Sequence, residues 1–468
     1  GSGTVNVLNG ADFTNSKDIN AGLLYVGYDS TTKSDTAASR LTVAAGTTVK
    51  GGNGLYVREE SSMAVDGKVI AGMYYLKGDT TVNAGGEMVF GGVQGVTVKD
   101  GAVLTIKGSA YADVNDSEPN KINIDVQSNS ALVVDGGKLD TTEAGPYGSN
   151  SISVADDAKF VITGDSEVRT DSFTGVAKLE NGSLTDSKIN GGTLKVFGTG
   201  NAISGTTTLG ALHVGYPAAD YTADADATVT GTLNATNSTV GSMGTLNIGD
   251  GSKDAARTEF SVNGVGNWIN NSTVRINNAD VKFTNALSMT GDILLDNSSI
   301  TVTWEGQMTN GNSDGKVVLQ NNSSLKYTSY FYIGGYYDNG VAALTITDSS
   351  FTGTNVLTSA NAVITLDNAD FTASTNLSLK GTINATDSRI DAAQIVFAET
   401  GALNITVSAD FLSDLAGKFT LVNQSNASAA TLDSLEINVA GNNYKVGDSW
   451  TVNGIVYAIG NGDGNDIV

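Results

Sequence analysis

The sequence predicts an all-β fold, a long single-stranded parallel β-helix closed at its C-terminal end by a small β cap. Three observations predict it. A strand–turn–strand phrase recurs along the chain, the composition is that of short strands joined by tight turns, and no window shows sustained 3.6-residue periodicity.

The phrase is an apolar–polar–apolar strand, a small Asn/Asp/Gly turn and a second short strand. It reads Ile276-Asn-Asn-Ala-Asp-Val, Leu295-Asp-Asn-Ser-Ser-Ile, Leu319-Gln-Asn-Asn-Ser-Ser-Leu, Ile346-Thr-Asp-Ser-Ser-Phe, Leu366-Asp-Asn-Ala-Asp-Phe and Ile383-Asn-Ala-Thr-Asp-Ser-Arg-Ile, with starts 19, 24, 27, 20 and 17 residues apart. Looser copies precede it, among them Leu41-Thr-Val-Ala-Ala-Gly, Met63-Ala-Val-Asp-Gly, Val96-Thr-Val-Lys-Asp-Gly and Leu132-Val-Val-Asp-Gly-Gly. Such a unit cannot bury its apolar face alone and must stack on copies of itself. Antiparallel hairpins are the competitor, since Asp-Gly and Asn-Gly also mark tight hairpins. Asn or Asp at the same place in many units favours the parallel stack, in which equivalent turns lie about 4.8 Å apart and their amides form ladders. At roughly 20 residues per coil the chain makes about 20 coils and a rod on the order of 100 Å long.

The composition agrees. Of 468 residues, 57 are Gly, 3 are Pro and none is Cys. A solenoid lengthens without thickening, so a chain of this length needs no single large core. With 26 basic and 49 acidic residues the net charge is −23. That opposes binding to phosphate backbones or anionic lipid, where Lys and Arg supply the affinity. No stretch approaches 18 consecutive apolar residues, so no transmembrane helix is expected. The opening Gly-Ser-Gly-Thr carries neither the charged nor the apolar region of an export signal, and any such signal is expected to have been removed.

Four phrases of the form apolar–x–Val/Ile–Gly interrupt the pattern. They are Leu24-Tyr-Val-Gly-Tyr28, Leu212-His-Val-Gly-Tyr216, Leu246-Asn-Ile-Gly-Asp250 and Phe331-Tyr-Ile-Gly-Gly335. Polar stretches follow over 29–40, 217–227, 251–257 and 336–341 and read as loops pushed outward from the coil, where the Gly permits a sharp departure. Residues 1–408 are expected to form the rod and 409–468 the cap. The cap should hold one turn of helix near Asp410, strands over 418–422, 435–439, 449–452 and 455–459, and a hairpin at Val452-Asn-Gly-Ile455.

Taken together, these features resemble the passenger regions of Gram-negative autotransporters, especially surface adhesins of the AIDA-like and self-associating kind. The phrases that carry the resemblance are Leu246-Asn-Ile-Gly-Asp-Gly-Ser, Ala343-Leu-Thr-Ile-Thr-Asp and the ending Tyr457-Ala-Ile-Gly-Asn-Gly-Asp-Gly-Asn-Asp-Ile-Val468. The resemblance implies a right-handed β-helix, secretion through the outer membrane and display at the surface of a Gram-negative cell. It also implies a translocating β-barrel after the passenger, whose alternating membrane strands this chain lacks.

Catalytic motifs are sparse. The single histidine, His213, has no Gly-x-Ser-x-Gly elbow near it, and its expected place is the outward side of a strand. Paired carboxylates suited to polysaccharide cleavage would come from Asp156/Asp157, Asp220/Asp224/Asp226 or Glu59/Glu60. No cofactor is expected. The one alternative is calcium at Asp463 and Asp466, in a single copy of a calcium-roll-like nonapeptide that normally works in tandem. Aromatics gather near the four loops, and Tyr28, Tyr216, Tyr221, Tyr336 and Tyr337 are the candidate binding residues, since outward Tyr stacks on sugars or anchors protein interfaces. Tyr330 and Tyr332 should face one side of their strand and Phe331 and Ile333 the other.

The expected function is that of a surface or secreted adhesin, making multivalent contacts with host or bacterial glycans, with proteins or with a sibling molecule. A carbohydrate-active β-helix enzyme and a structural stalk are the alternatives. Neither nucleic-acid binding nor membrane insertion is expected.

Overall fold

The computed structural model describes residues 4–7, 11–29, 34–35, 38–112, 122–142, 150–249, 251–252, 256–264, 267–308, 314–334, 341–398, 400–414, 417–426, 432, 434–452, 455–460 and 467–468. It is an all-β parallel solenoid. Among the described residues the only helices are Ala409–Asp414 and the single 3-10 turn Ala218–Asp220. The chain divides into two compact units, one of residues 1–215 and 220–236, the other of residues 216–219 and 237–468.

In the first unit three parallel faces are built from one chain passing round repeatedly. On the first face Leu24, Leu55, Tyr74, Val96, Ile124, Ile152 and Phe173 lie in register, one coil above the next. On the second the row runs Leu41, Met63, Thr80, Leu104, Leu132, Phe160, Ala177, Leu194 and Leu212. On the third it is Val49, Val69, Met88, Ala110, Leu139 and Val168. Nearly every member is fully buried, so the core is a set of apolar ladders. Because side chains alternate across a strand, each inward row has an outward row beside it. Long strands such as Thr48–Val57 serve the third face with their first half and the first face with their second.

The bend between the second and third faces is a column of glycines, Gly67, Gly86, Gly108 and Gly137. A Cβ at any of them would overlap a backbone carbonyl oxygen of the coil below, Ala44, Val65, Gly86 and Ile106 respectively. Successive coils meet here backbone to backbone, and only Gly fits.

The second unit repeats the scheme. One inward row is Ile276, Leu295, Leu319, Ile346, Leu366, Ala385 and Ile405, the opening residues of the recurring phrase or their equivalents. A second is Val281, Ile300, Leu325, Phe351, Phe371 and Ile390, in which Phe351 and Phe371 stack with ring centroids 4.8 Å apart. The third is Phe331, Val356, Leu377 and Ile395.

The recurring Asn/Asp explains the corner between the first two rows. Asn278, Asn297, Asn322, Asp348, Asn368 and Asp387 all adopt left-handed backbone with φ between 47° and 68°. Asn and Asp tolerate this conformation better than other non-glycine residues. The amide ladder expected at this turn forms in part, as Asn297 donates to Asn278 at 3.2 Å and Asn368 donates to Asp348 at 2.6 Å. Beneath it runs a hydroxyl ladder. The backbone N–H groups of Ala279, Ser298, Ser323 and Ala369 donate to the side-chain oxygens of Ser298, Ser323, Ser349 and Ser388 one coil on, at 3.0–3.1 Å. These buried corner amides thereby find acceptors.

All four Val/Ile-Gly glycines, Gly27, Gly215, Gly249 and Gly334, have positive φ. After Gly215 the strand resumes at Ala225, three residues earlier than the sequence suggested. Near the C-terminus the coil does not stop at residue 408. Val422 continues the row of Ile390, and Ile437 that of Ile405. The expected strand over 418–422 is found instead as Val422–Gln424. Val422 also bridges Ile467 antiparallel, the strand Ile437–Val439 pairs antiparallel with Asn442–Tyr444, and the expected hairpin joins Ser449–Val452 to Ile455–Ala458.

Candidate functional site

The sequence candidates scatter. Tyr28 lies in a two-stranded antiparallel pair with Ser34–Asp35, outside the main sheet. Tyr216 is 39% exposed. Tyr221 is a correction: it is 8% exposed, with its ring stacked on Phe197 at 4.5 Å between centroids. Its loop folds back over the strand and uses the aromatic for packing. Tyr336, Tyr337, Asp463 and Asp466 lie outside the described residues.

His213 occupies the outward position between buried Leu212 and Val214, beside Lys195 of the preceding coil. Partial burial and the Lys195 ammonium hold it below the usual histidine range, against the opposing pull of Asp220. The carboxylate pairs do not converge. Lys195 pairs with Asp220, Asp226 accepts the Gly200 N–H at 2.7 Å, and Glu59 accepts Lys77 at 2.9 Å. Asp156 and Asp157 are exposed in a turn. Among the described residues no group of three or more His, Cys, Asp or Glu side chains could hold a metal ion.

What the coil does bring together is a charged strip and a groove on the third face of the first unit. The outward rows place Lys68, Glu87, Ser109, Lys138 and Glu167 in register, with Tyr111, Asp140 and Arg169 two residues along. Glu87 accepts both Tyr111 Oη at 2.6 Å and Lys68 Nζ at 3.0 Å. The Tyr111 hydroxyl, then Lys68, hold its carboxyl below the ordinary range. Glu167 accepts Lys138 at 3.2 Å and Arg169 at 3.3 Å. Asp140 is 1% exposed. One of its oxygens accepts the N–H and hydroxyl of Thr142, at 2.9 and 2.6 Å, and the other faces Lys138 Nζ at 3.8 Å.

Beside this strip the glycine column withdraws side chains from the corner and leaves a groove of about 720 Å³. Gly85, Gly108, Gly136 and Gly137 line its floor. Lys107, Lys138, Asp165, Glu167 and Asp186 line the walls, with the hydroxyls of Ser109, Ser166, Ser183 and Thr185 between them. Sequence reasoning missed this site. The signal that could have found it is the Gly-Gly or Lys-Gly at the end of each phrase, as in Ala84-Gly-Gly86, Lys107-Gly108 and Asp135-Gly-Gly137.

On the first face Tyr25, Tyr56 and Tyr75 form an outward row. Tyr25 and Tyr56 stack at 4.6 Å, the Arg58 guanidinium lies 5.6 Å from the Tyr25 ring centre, and Lys99 lies 5.1 Å from that of Tyr75. The stacking occupies ring faces between coils, which makes this row chiefly a staple.

No family model matches the chain, and no curated protein sequence matches it.

Proposed function

We propose that the chain is a surface-displayed or secreted adhesin whose coils present contact surfaces to glycans or proteins outside the cell. The observation that carries this reading is the glycine-floored groove. It is open, polar and walled by charges of both signs, which suits an extended polar chain laid along the coils. Its lysines are already engaged by Glu167, Asp140 and neighbouring carboxylates, so the wall is near balance and specificity would come from hydrogen bonds. The chain's net charge of −23 opposes nonspecific clumping and polyanion binding.

The test is display on a non-adherent cell, read by settling, by attachment to host-cell layers and by a glycan array. Attachment or array binding that falls when Lys138 becomes Glu supports the reading. Failure of all three readouts for the wild-type chain sinks it. A second reading, a polysaccharide-cleaving enzyme, draws on the gathering of Asp165, Glu167 and Asp186 along the same groove. Release of reducing or unsaturated ends from polysaccharides, lost in Glu167→Gln, would promote it over adhesion.

A further inference from the structure

The second unit carries a surface of different chemistry. On its third face two outward rows run across the coils. One is Tyr330, Asn355, Asn376 and Gln394, and the other is Gln307, Tyr332, Leu357, Ser378 and Val396. The inward residues between them, Phe331, Val356, Leu377 and Ile395, are buried at 0–3% exposure and hold the face in place. Tyr330 is 45% exposed and Val396 43%. The Tyr330 and Tyr332 rings are nearly parallel, 14° apart, with centroids separated by 6.2 Å.

None of the residues named in either row is charged, in a protein with 26 basic and 49 acidic residues. On the coil before Tyr330 the exposed Glu305 stands one residue ahead of Gly306, the register partner of Phe331, and bounds the Tyr330 row at that end. Along Asp370–Leu379 the charges are Asp370, at the start of the strand on the neighbouring face, and Lys380, just past its end. A face whose charges are confined to its margins argues against a polyanion, a basic peptide or an ionic contact, each of which draws its affinity from complementary charge. A carboxamide both donates and accepts, so the row Asn355–Asn376–Gln394 offers hydrogen bonds of both senses at the coil spacing of about 4.8 Å. Beside it two amphipathic rings offer apolar surface with a polar edge. A neutral sugar chain has the matching features, an apolar C–H face on each ring and a rim of hydroxyls that donate and accept.

We propose that this face binds a neutral polysaccharide, with Tyr330 and Tyr332 as the apolar platform and Asn355, Asn376 and Gln394 as hydrogen-bonding partners. The inference stands on the second unit alone and does not use the groove of the first.

Native-gel retardation of the full chain tests it, with laminarin and yeast mannan as neutral probes and polygalacturonate as the anionic one. The expected result is retardation by a neutral probe that salt does not abolish, weakened about tenfold by Tyr330→Ala, the loss of one aromatic contact. Asn376→Asp should weaken it as well, by adding a charge at an exposed position. Melting curves of both variants check folding, and Asn376→Asp decides if Tyr330→Ala does not fold. No retardation by either neutral probe, or equal retardation of wild type and both variants, overturns the proposal. So does binding of polygalacturonate alone. The adhesion reading is scored separately on displayed cells: attachment lost with Lys138→Glu but kept with Tyr330→Ala leaves it standing without this site.

Discussion

Thr80 is the one polar member of an otherwise apolar inward row, between Met63 on the coil before and Leu104 on the coil after. It is 0% exposed, and its hydroxyl has no hydrogen-bond partner. A buried hydroxyl left unpaired costs about 1–3 kcal/mol, because unfolding returns it to water. Val has the same branched shape, so Thr80→Val removes the cost without opening a cavity. The expected gain is roughly 1–2 kcal/mol, a rise in Tm of about 2–6 °C for a cooperative unit of this size. Urea denaturation followed by far-ultraviolet circular dichroism measures it, with the slope m checked for constancy. Thr81→Val, at the half-exposed outward position next door, is the control and should move stability by less than about 0.5 kcal/mol. Thr80→Ser keeps the hydroxyl, loses a methyl and should destabilise by about 1 kcal/mol. If Thr80→Val is neutral or destabilising, the hydroxyl is satisfied and the account of this row is wrong.

Three further outcomes are expected. Gly86→Ala drives a Cβ into the Val65 carbonyl oxygen and should cost about 2–3 kcal/mol in the same assay, whereas Gly52→Ala, whose Cβ would stand 3.7 Å from its nearest neighbour, should cost under about 1. Asn368→Val places a branched residue at φ 49° and breaks the amide bond to Asp348, for a loss of about 1–3 kcal/mol, while Asn368→Gly keeps the conformation and should lose about 1 or less. The lone His213 gives a single imidazole signal by nuclear magnetic resonance, with a midpoint below 6.5, and Lys195→Met should raise it. Because the folded value is depressed, the folded state binds fewer protons. His213 therefore favours folding above pH 6.5, and that contribution fades as pH falls from 6.5 through the folded midpoint. A midpoint at or above 6.5 contradicts the packing described for this strand.

The repeat was legible because stacking places the same demand on every coil. Period-two alternation correctly put Phe331 and Ile333 on one side of their strand and Tyr330 on the other; the structure shows the first pair buried and Tyr330 exposed. The Val/Ile-Gly phrases correctly marked positions of positive φ, which only Gly takes without strain. The candidate sites were far less legible. Tyr221 looked like a loop aromatic and is buried on Phe197, because whether a loop stands away or folds back depends on partners remote in sequence. The groove was missed because its walls come from Lys107, Lys138, Glu167 and Asp186, on different coils.

By itself the sequence determined that the chain coils, which residues of each strand face inward and where the coil must bend sharply. Those properties are local, fixed by alternation and by backbone preference within a few residues. The tertiary structure alone decided which outward residues meet. Phrase starts are 17 to 27 residues apart, so sequence spacing does not say that Lys138 stands over Ser109 and under Glu167, or that Asn355 follows Tyr330. That register is set by pairing between coils. Bulges and inserted loops take up the differences in length so that each inward apolar ladder stays closed, and the outward rows follow from it.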